Sequence, residues 1–154
     1  MDVSKKEVVI TRTFPAGIER MWKAFTSVED ILKWHSPVDM TNPHAEIDLR
    51  VGGSYAITMK YEETGEEVTV RGVYKEITKP RKIVYTWKWD GSEEETEVHI
   101  FFEVVDADKT KLTLIHRGFS QQPTKSDIEN FRTHESHKAG WTTGFQKLEI
   151  LVSS

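Results

Sequence analysis

From residue 45 to residue 117, apolar and polar side chains alternate in six short segments that are separated by turn signals. A period of two puts successive side chains on opposite faces of a strand. Short connections make strands that are consecutive in the chain neighbours in the sheet. The pattern therefore predicts an antiparallel meander with one apolar face. The predicted strands cover residues 45–51, 54–62, 68–77, 83–90, 95–105 and 111–117.

The apolar face can be assigned in every predicted strand except 68–77. In that segment Val70 and Tyr74 compete with Val73 for the same face, so we expect a β-bulge there and assign no face. Aromatic side chains are frequent on the faces that can be assigned. The residues assigned to the apolar face are Tyr55, Ile57, Met59, Tyr61, Ile83, Tyr85, Trp87, Trp89, Val98, Ile100, Phe102, Val104, Leu112, Leu114 and His116.

One strand and two short helices are predicted before the meander. Residues 7–14 are rich in β-branched side chains, which favours a strand. A helix begins at Pro15, because the apolar side chains that follow recur with the spacing i, i+3, i+4 and i+7. The spacing of Ser27 and Asp30 is that of a capping box, which predicts a second helix over residues 28–34.

A loop and one long helix are predicted after the meander. Residues 121–128 are polar and contain Pro123, which is typical of a loop. Apolar side chains at helical spacing then continue to the C-terminus and indicate a long amphipathic helix. Its stripe comprises Ile128, Phe131, Trp141, Phe145, Leu148 and either Leu151 or Val152.

The last helix is the only predicted element long enough to cover the apolar face of the sheet. We therefore predict an α+β helix-grip fold. It consists of a curved antiparallel sheet of about seven strands, two short N-terminal helices, and a long C-terminal helix across the concave face. The length of 154 residues is expected to form one domain over residues 1–154.

Composition narrows the classes of function. The net charge of −4 argues against a nucleic-acid-binding surface, and the absence of cysteine excludes disulfides and thiolate sites. The apolar runs are far shorter than the roughly 20 residues that cross a bilayer, and the N-terminus lacks the features of a signal peptide. We therefore expect a cytoplasmic protein without membrane insertion.

No cofactor, metal or catalytic residue is predicted. The sequence contains neither a phosphate-binding loop nor a dinucleotide fingerprint. His134 and His137 are three residues apart, whereas the metalloprotease pattern requires a spacing of four, and no third ligand is indicated. We interpret this segment as the solvated start of a helix. Ser54 follows two glycines but lacks the strand-to-helix elbow of a hydrolase nucleophile.

Short motifs, in order along nearly the whole chain, carry a resemblance to a known family. These motifs are Phe14-Pro15, residues 21–26, 32–34, 48–55, 72–77, 83–87 and 110–116, Gly140-Trp141 and Leu148. With them the sequence resembles the SRPBCC superfamily, also called START-like or birch-pollen-allergen-like. Within it, the sequence is most similar to the family named for the C-terminal domain of the activator of heat-shock protein 90 ATPase.

The resemblance implies a cavity protein, in which the last helix covers the sheet without filling the space beneath it. A small hydrophobic molecule, aromatic or lipid-like, would bind there, and a cavity of roughly 300 Å³ or more would favour such a site. The same side chains would serve equally well as a filled core. The candidate ligand-binding residues are Trp22, Trp34, Tyr55, Met59, Trp87, His116, Trp141 and Phe145.

Two features bear on the cavity hypothesis. Gly140 and Gly144 lie inside the last helix, where each costs about 1 kcal/mol relative to alanine. They indicate either close approach of the helix to the sheet or open volume beside Trp87. His116 is either a core histidine with one hydrogen-bond partner or a group that orients a ligand.

Two other functions remain open. The first is a co-chaperone that stimulates a heat-shock protein 90 type ATPase through its exterior. In that case Asp48 and Arg50, otherwise a surface ion pair, would belong to a docking surface. The second is an enzyme of the cyclase or dehydratase type, with His116 and a tyrosine as acid and base. Stimulation of the ATPase, or loss of turnover on replacing His116, would distinguish these functions.

Overall fold

A computed structural model describes residues 5–120 and 123–153 of the chain. Within these residues the elements follow one another almost as the sequence predicts. They are β1 (Lys5–Phe14), α1 (Ile18–Thr26), α2 (Val28–Trp34), β2 (Met40–Ile47), β3 (Ser54–Tyr61), β4 (Glu67–Thr78), β5 (Lys82–Trp89), β6 (Glu95–Asp106), β7 (Lys109–Ser120), α3 (Lys125–Glu129) and α4 (His134–Val152).

The seven strands form one antiparallel sheet with the order β1-β7-β6-β5-β4-β3-β2. Strands β2 to β7 pair with their neighbours in the chain, as the meander predicts. The first strand, β1, pairs with β7, and Val8 lies opposite His116. Helix α4 packs against this sheet through Trp141, Phe145 and Leu148, which belong to the buried core. The predicted helix-grip arrangement is confirmed.

The face assignment from alternation is confirmed for the centre of the sheet, where Ile100, Leu114 and His116 are fully buried. It is wrong for Val104, which is 50% exposed. Val104 still pairs with Thr110 in the register of Phe102 and Leu112, so the alternation itself continues to this position. Val104 is exposed because it lies at the end of the hairpin, next to the register shift between Val104 and Asp106.

The bulge expected in β4 is present. Its register against β5 shifts between Tyr74 and Glu76. Val70 and Tyr74 are buried in the core, whereas Val73 is exposed on the other face. The extra residue at the shift changes the parity of the strand after Tyr74, so Ile77 also packs against the core and the pattern in the sequence is mixed.

The boundaries predicted for the strand β2 are wrong at both ends. Its first half contains Pro43, and proline is accepted in a sheet only at an edge such as this one. The strand ends before Asp48, because Gly52, with a φ of 85°, and Gly53 close a turn. A Cβ on Gly53 would collide with the carbonyl oxygen of Asp48. Arg50 and Asp48 therefore form an exposed ion pair of 2.9 Å on a turn.

The predicted C-terminal helix is interrupted near its start. Phe131, between α3 and α4, has a φ of 57°, a left-handed conformation that a helix does not continue through. Ile128 and Phe131 are 59% and 60% exposed, so they do not belong to the packed stripe. Helix α4 starts anew with a capping box between Thr133 and Ser136.

The loop predicted over residues 121–128 is only partly a loop. Gln121 and Gln122 lie outside the described residues. The remainder includes the start of α3, because Thr124 and Asp127 form a capping box. The Asp127 N–H donates to Thr124 Oγ1 at 3.1 Å, and the Thr124 N–H donates to Asp127 Oδ2 at 2.8 Å.

Candidate functional site

A cavity of about 90 Å³ lies between the N-terminal half of α4, the segment that follows α2, and strands β3 to β5. The alternation of β5 places Trp87 and Trp89 on this side of the sheet. His137 and Trp141 are four residues apart and therefore share the inner face of α4. The inner wall of the cavity comprises Trp34, Met59, Val68, Trp87, Trp89, His137 and Trp141.

The outer part of the cavity is lined by Tyr61, Phe131 and Arg132. The guanidinium carbon of Arg132 lies 4.1 Å from the centroid of the Trp89 ring, within the range of a cation–π interaction. The same guanidinium donates a hydrogen bond of 2.9 Å to the carbonyl oxygen of Asn130. Burial lowers the pKa of Arg132 from its usual value.

The two glycines of α4 bring the helix close to the segment that follows α2. A Cβ on Gly144 would lie 3.4 Å from the carbonyl oxygen of Ser36 and 3.5 Å from that of Trp34. A Cβ on Gly140 would lie 3.4 Å from a ring carbon of Pro37. The alternative of close approach to the sheet is therefore wrong, because the atoms nearest to both glycines belong to Trp34 and to this segment. Both glycines also line the cavity.

Four of the eight candidate ligand-binding residues meet at the cavity. These are Trp34, Met59, Trp87 and Trp141.

The other four are buried elsewhere. Trp22 packs on Phe102 with ring centroids 5.4 Å apart, and Phe145 packs on Phe14 at 5.6 Å. Tyr55 donates a hydrogen bond of 2.6 Å to the carbonyl oxygen of Thr86.

His116, the last of the eight, is fully buried and has partners at both ring nitrogens. The Trp141 indole N–H donates to Nδ1 at 3.0 Å, so the proton of the neutral ring is on Nε2. That N–H donates to Thr96 Oγ1 at 2.7 Å, and the Thr96 hydroxyl donates to the carbonyl oxygen of Trp87 at 3.2 Å. Burial holds the pKa of His116 well below its usual value. His116 therefore positions Trp141 directly and Trp87 through Thr96. Both of its ring nitrogens are engaged in hydrogen bonds, so neither is free for proton transfer.

His137 was not predicted as a site residue, and the expectation that its segment is solvated is wrong for it. It is 6% exposed. Its Nδ1–H donates to the carbonyl oxygen of Thr133 at 2.8 Å, and its Nε2 accepts the indole N–H of Trp89 at 3.0 Å. Burial lowers its pKa to about 4. The spacing of four residues to Trp141 is the sequence signal that would have extended the buried stripe back to His137.

His35 is a second residue that sequence reasoning missed. It follows α2, is buried, and lines the cavity. Its ring stacks on Trp87 with centroids 5.8 Å apart and lies 5.2 Å from the ring of Trp141. Burial lowers its pKa to about 4, so the ring is neutral near pH 7. No helical or strand periodicity extends to this position, and the sequence therefore held no signal for it.

Metal chemistry has no candidate ligand set in the part of the chain that the structure describes. No group of three histidine, aspartate or glutamate side chains there is arranged so that it could hold an ion.

A larger groove of about 480 Å³ lies on the other face of the sheet, over strands β3 to β5. Its walls include the charged residues Glu46, Asp48, Arg71, Lys88 and Glu95. Two of these residues, Asp48 and Arg71, are already paired on the exposed surface, with Arg50 at 2.9 Å and with Asp90 at 2.8 Å. Ligand sites are mostly apolar with few polar groups, so the aromatic cavity under α4 is the better candidate site.

Comparison with known families agrees with this architecture. The family described as "Activator of Hsp90 ATPase homolog 1-like protein" matches residues 15–153. The chain belongs to this family. No curated protein matches the sequence.

Solved structures similar to this member of the Activator of Hsp90 ATPase homolog 1-like family cover nearly its whole length. Protein CV1439 from Chromobacterium violaceum is 21% identical, with a TM-score of 0.80 and coverage of 96% of this chain and 97% of that one. CalU16 from Micromonospora echinospora is 21% identical, with a TM-score of 0.64 and coverage of 97% and 77%. These two likenesses show the fold.

A third similar structure is that of a protein named for an activity. PFC0360w, an HSP90 activator from Plasmodium falciparum, is 25% identical to this chain, with a TM-score of 0.70. The similarity covers 96% of each chain. In the described part of this family member, no helix is both long and apolar enough to span a membrane.

Proposed function

We propose that the chain binds a small apolar molecule in the cavity between α4 and the sheet. The observation that carries this proposal is the enclosure of the cavity by aromatic rings, with Trp34, Trp87 and Trp141 supplied by three different elements. Flat rings offer large apolar contact areas to a planar ligand. The glycines of α4 line the same space and add no side-chain volume to it.

The volume of the cavity sets the size of the ligand. At about 90 Å³ the cavity falls short of the roughly 300 Å³ that we expected to favour a small-molecule site, and it is too small for a drug-sized molecule. An engineered apolar cavity of about 150 Å³ binds benzene. The proposed ligand is therefore a molecule of about one ring.

The exposed apolar side chains beside the cavity support an entrance for such a ligand. Phe131 lines the cavity and is 60% exposed. Val38, which is 68% exposed, adjoins the lining residue Pro37. Large apolar side chains exposed together at a cavity are typical of a binding surface.

A titration of the protein with toluene tests the proposal. In ¹H–¹⁵N NMR spectra, saturable shifts are expected for the indole N–H groups of Trp87 and Trp141. Val68→Phe adds a ring to a lining position and should abolish the shifts. Val9→Phe, the same change at an exposed position of β1, should leave them intact. Shifts that do not saturate, or that persist unchanged in Val68→Phe, would contradict binding in this cavity.

A second candidate function is contact with a chaperone ATPase. Family membership and the similarity to an HSP90 activator favour it. The purified chain should then raise the ATPase rate of an Hsp90-type chaperone in a saturable way. The cavity-filling variant Val68→Phe should retain this effect, because the contact would use the exterior. A flat response over a concentration series would reject this function and leave the ligand proposal untouched.

A further inference from the structure

One polar atom in the wall of the cavity lacks a partner. The ring of Trp87 lines the cavity, and its buried indole N–H has no hydrogen-bond acceptor among the residues that the structure describes. Buried indole N–H groups ordinarily find an acceptor, because leaving a donor unpaired away from water is costly. The unpaired indole N–H of Trp87 is therefore a rare case among buried donors and needs a physical explanation.

The other indoles of the cavity are all satisfied. Trp34 donates to the carbonyl oxygen of Ala24 at 2.7 Å, Trp89 donates to His137 at 3.0 Å, and Trp141 donates to His116 at 3.0 Å.

The acceptor nitrogens of His116 and His137 are consequently occupied. Each of these two neutral histidines has one acceptor nitrogen, and Trp141 and Trp89 already donate to them. No change of tautomer frees one for Trp87, since the remaining nitrogens donate to Thr133 and Thr96.

We infer that the ligand of this cavity carries an uncharged hydrogen-bond acceptor, such as a ketone or ester carbonyl, that accepts the indole N–H of Trp87. This inference rests on the proposed function, because it concerns the molecule that occupies the same cavity. The ring of the ligand contacts the aromatic wall, and its carbonyl satisfies the one unpaired donor.

The surroundings favour a neutral ligand over an anion. The rings nearest to Trp87 belong to His35, Trp89, His116 and Trp141, at 5.2 to 5.8 Å, and none of them carries charge near neutral pH. The cation in the cavity lining, Arg132, already lies over the Trp89 ring and donates to the carbonyl oxygen of Asn130. A carboxylate beside Trp87 would therefore lose its hydration without a counter-charge among these rings. The nitrogen of Trp87 is itself screened from water. The proposed hydrogen bond therefore requires the rings around it to move apart when the ligand enters.

A matched pair of probes isolates this hydrogen bond. Acetophenone and α-methylstyrene have nearly the same shape and differ in a carbonyl oxygen against a methylene group. The ratio of the two affinities is measured in the unmodified chain and again in Trp87→Phe. Comparison of the two ratios cancels the difference in hydration between the probes. The preference for acetophenone should fall about five- to tenfold in Trp87→Phe. Trp22→Phe, at a tryptophan outside the cavity, should retain the preference of the unmodified chain.

The spectrum of the unmodified chain gives a second readout that does not depend on whether the variant folds. Acetophenone should move the Trp87 indole proton downfield, and α-methylstyrene should not. Equal affinity ratios in the unmodified chain and Trp87→Phe, with no downfield shift, would overturn the inference and leave the proposed function standing. Tighter binding of benzoate than of acetophenone would also overturn it. If neither neutral probe binds, the proposed function fails and the inference fails with it.

Discussion

At the scale of single residues, the site is a cluster of neutral rings around Trp87. The rings of His35, His116 and His137 have centroids 5.8, 5.2 and 6.2 Å from that of Trp87. Burial penalises the imidazolium form and lowers the pKa of each histidine. The cluster therefore depends on histidines that stay uncharged.

This dependence predicts that the folded state weakens in mild acid. For His35 and His137 the pKa falls from 6.5 in the unfolded chain to about 4 in the folded one. The contribution of these two neutral histidines to the stability of the folded state is complete above pH 6.5. It is lost as the pH falls from 6.5 towards 4, because only the unfolded state binds protons between these two values. The free energy of unfolding should decrease by up to about 1.4 kcal/mol per pH unit for each histidine.

Urea unfolding between about pH 7.5 and 5 measures this slope. His137→Gln should make the slope shallower, and His44→Gln, at an exposed position, should not. Glu97 does not interfere. Although burial opposes ionisation, hydrogen bonds from Lys75 and His99 lower its pKa from 4.5 to about 2, so its contribution is lost only below this range. A free energy of unfolding that is constant from pH 7.5 to 5 would refute the prediction.

At the scale of elements, the position of α4 over the cavity is set by its contacts with the segment that follows α2. The Lys147 ammonium donates to Ser36 Oγ at 2.9 Å and to the carbonyl oxygens of Pro37 and Met40 at 2.7 Å each. One turn earlier, Gly144 lies against the carbonyl oxygen of Ser36. A charged clamp and a close backbone approach therefore hold the same two segments together.

Removal of the clamp should loosen this junction. Lys147→Met keeps the aliphatic stem and removes three hydrogen bonds from a charged donor. We expect a loss of roughly 2 kcal/mol in the free energy of unfolding, measured in urea. Lys138→Met, at an exposed position of the same helix, serves as the control and should change stability by less than about 0.5 kcal/mol. Equal effects of the two substitutions would show that the clamp contributes nothing specific.

Closing the space at Gly144 should also be costly. Gly144→Val adds methyl groups where a Cβ would already lie 3.4 Å from a backbone oxygen, so the helix must move outward. Overpacking of this kind costs about 1–3 kcal/mol, which outweighs the gain in helix propensity. Thr142→Val introduces the same side chain at an exposed position and should be nearly neutral. The account of the glycines is wrong if Gly144→Val unfolds at the same urea concentration as the unmodified chain.

At the scale of the whole molecule, the sheet was predictable because alternation with a period of two extends through most of its strands. The same alternation placed Met59 and Trp87 on the inner face, where they line the cavity. The cavity itself also depends on His35, which follows α2, and on Phe131, which helical spacing placed in the stripe of the last helix but whose left-handed conformation interrupts that helix. The positions of these two residues are decided by tertiary packing. For this reason the sequence predicted the aromatic wall of the cavity, but it predicted neither the neutral His35 beside that wall nor the left-handed conformation of Phe131 at its outer part.

The central claim is that an apolar, accessible cavity persists under α4. Crystals equilibrated with xenon under pressure test it directly, since xenon enters dry apolar cavities and avoids hydrated ones. The account predicts a xenon atom among Trp34, Met59, Trp87 and Trp141, and its loss in Val68→Phe. Side chains that fill this space in the crystal, or a cluster of ordered waters that excludes xenon from it, would contradict the account.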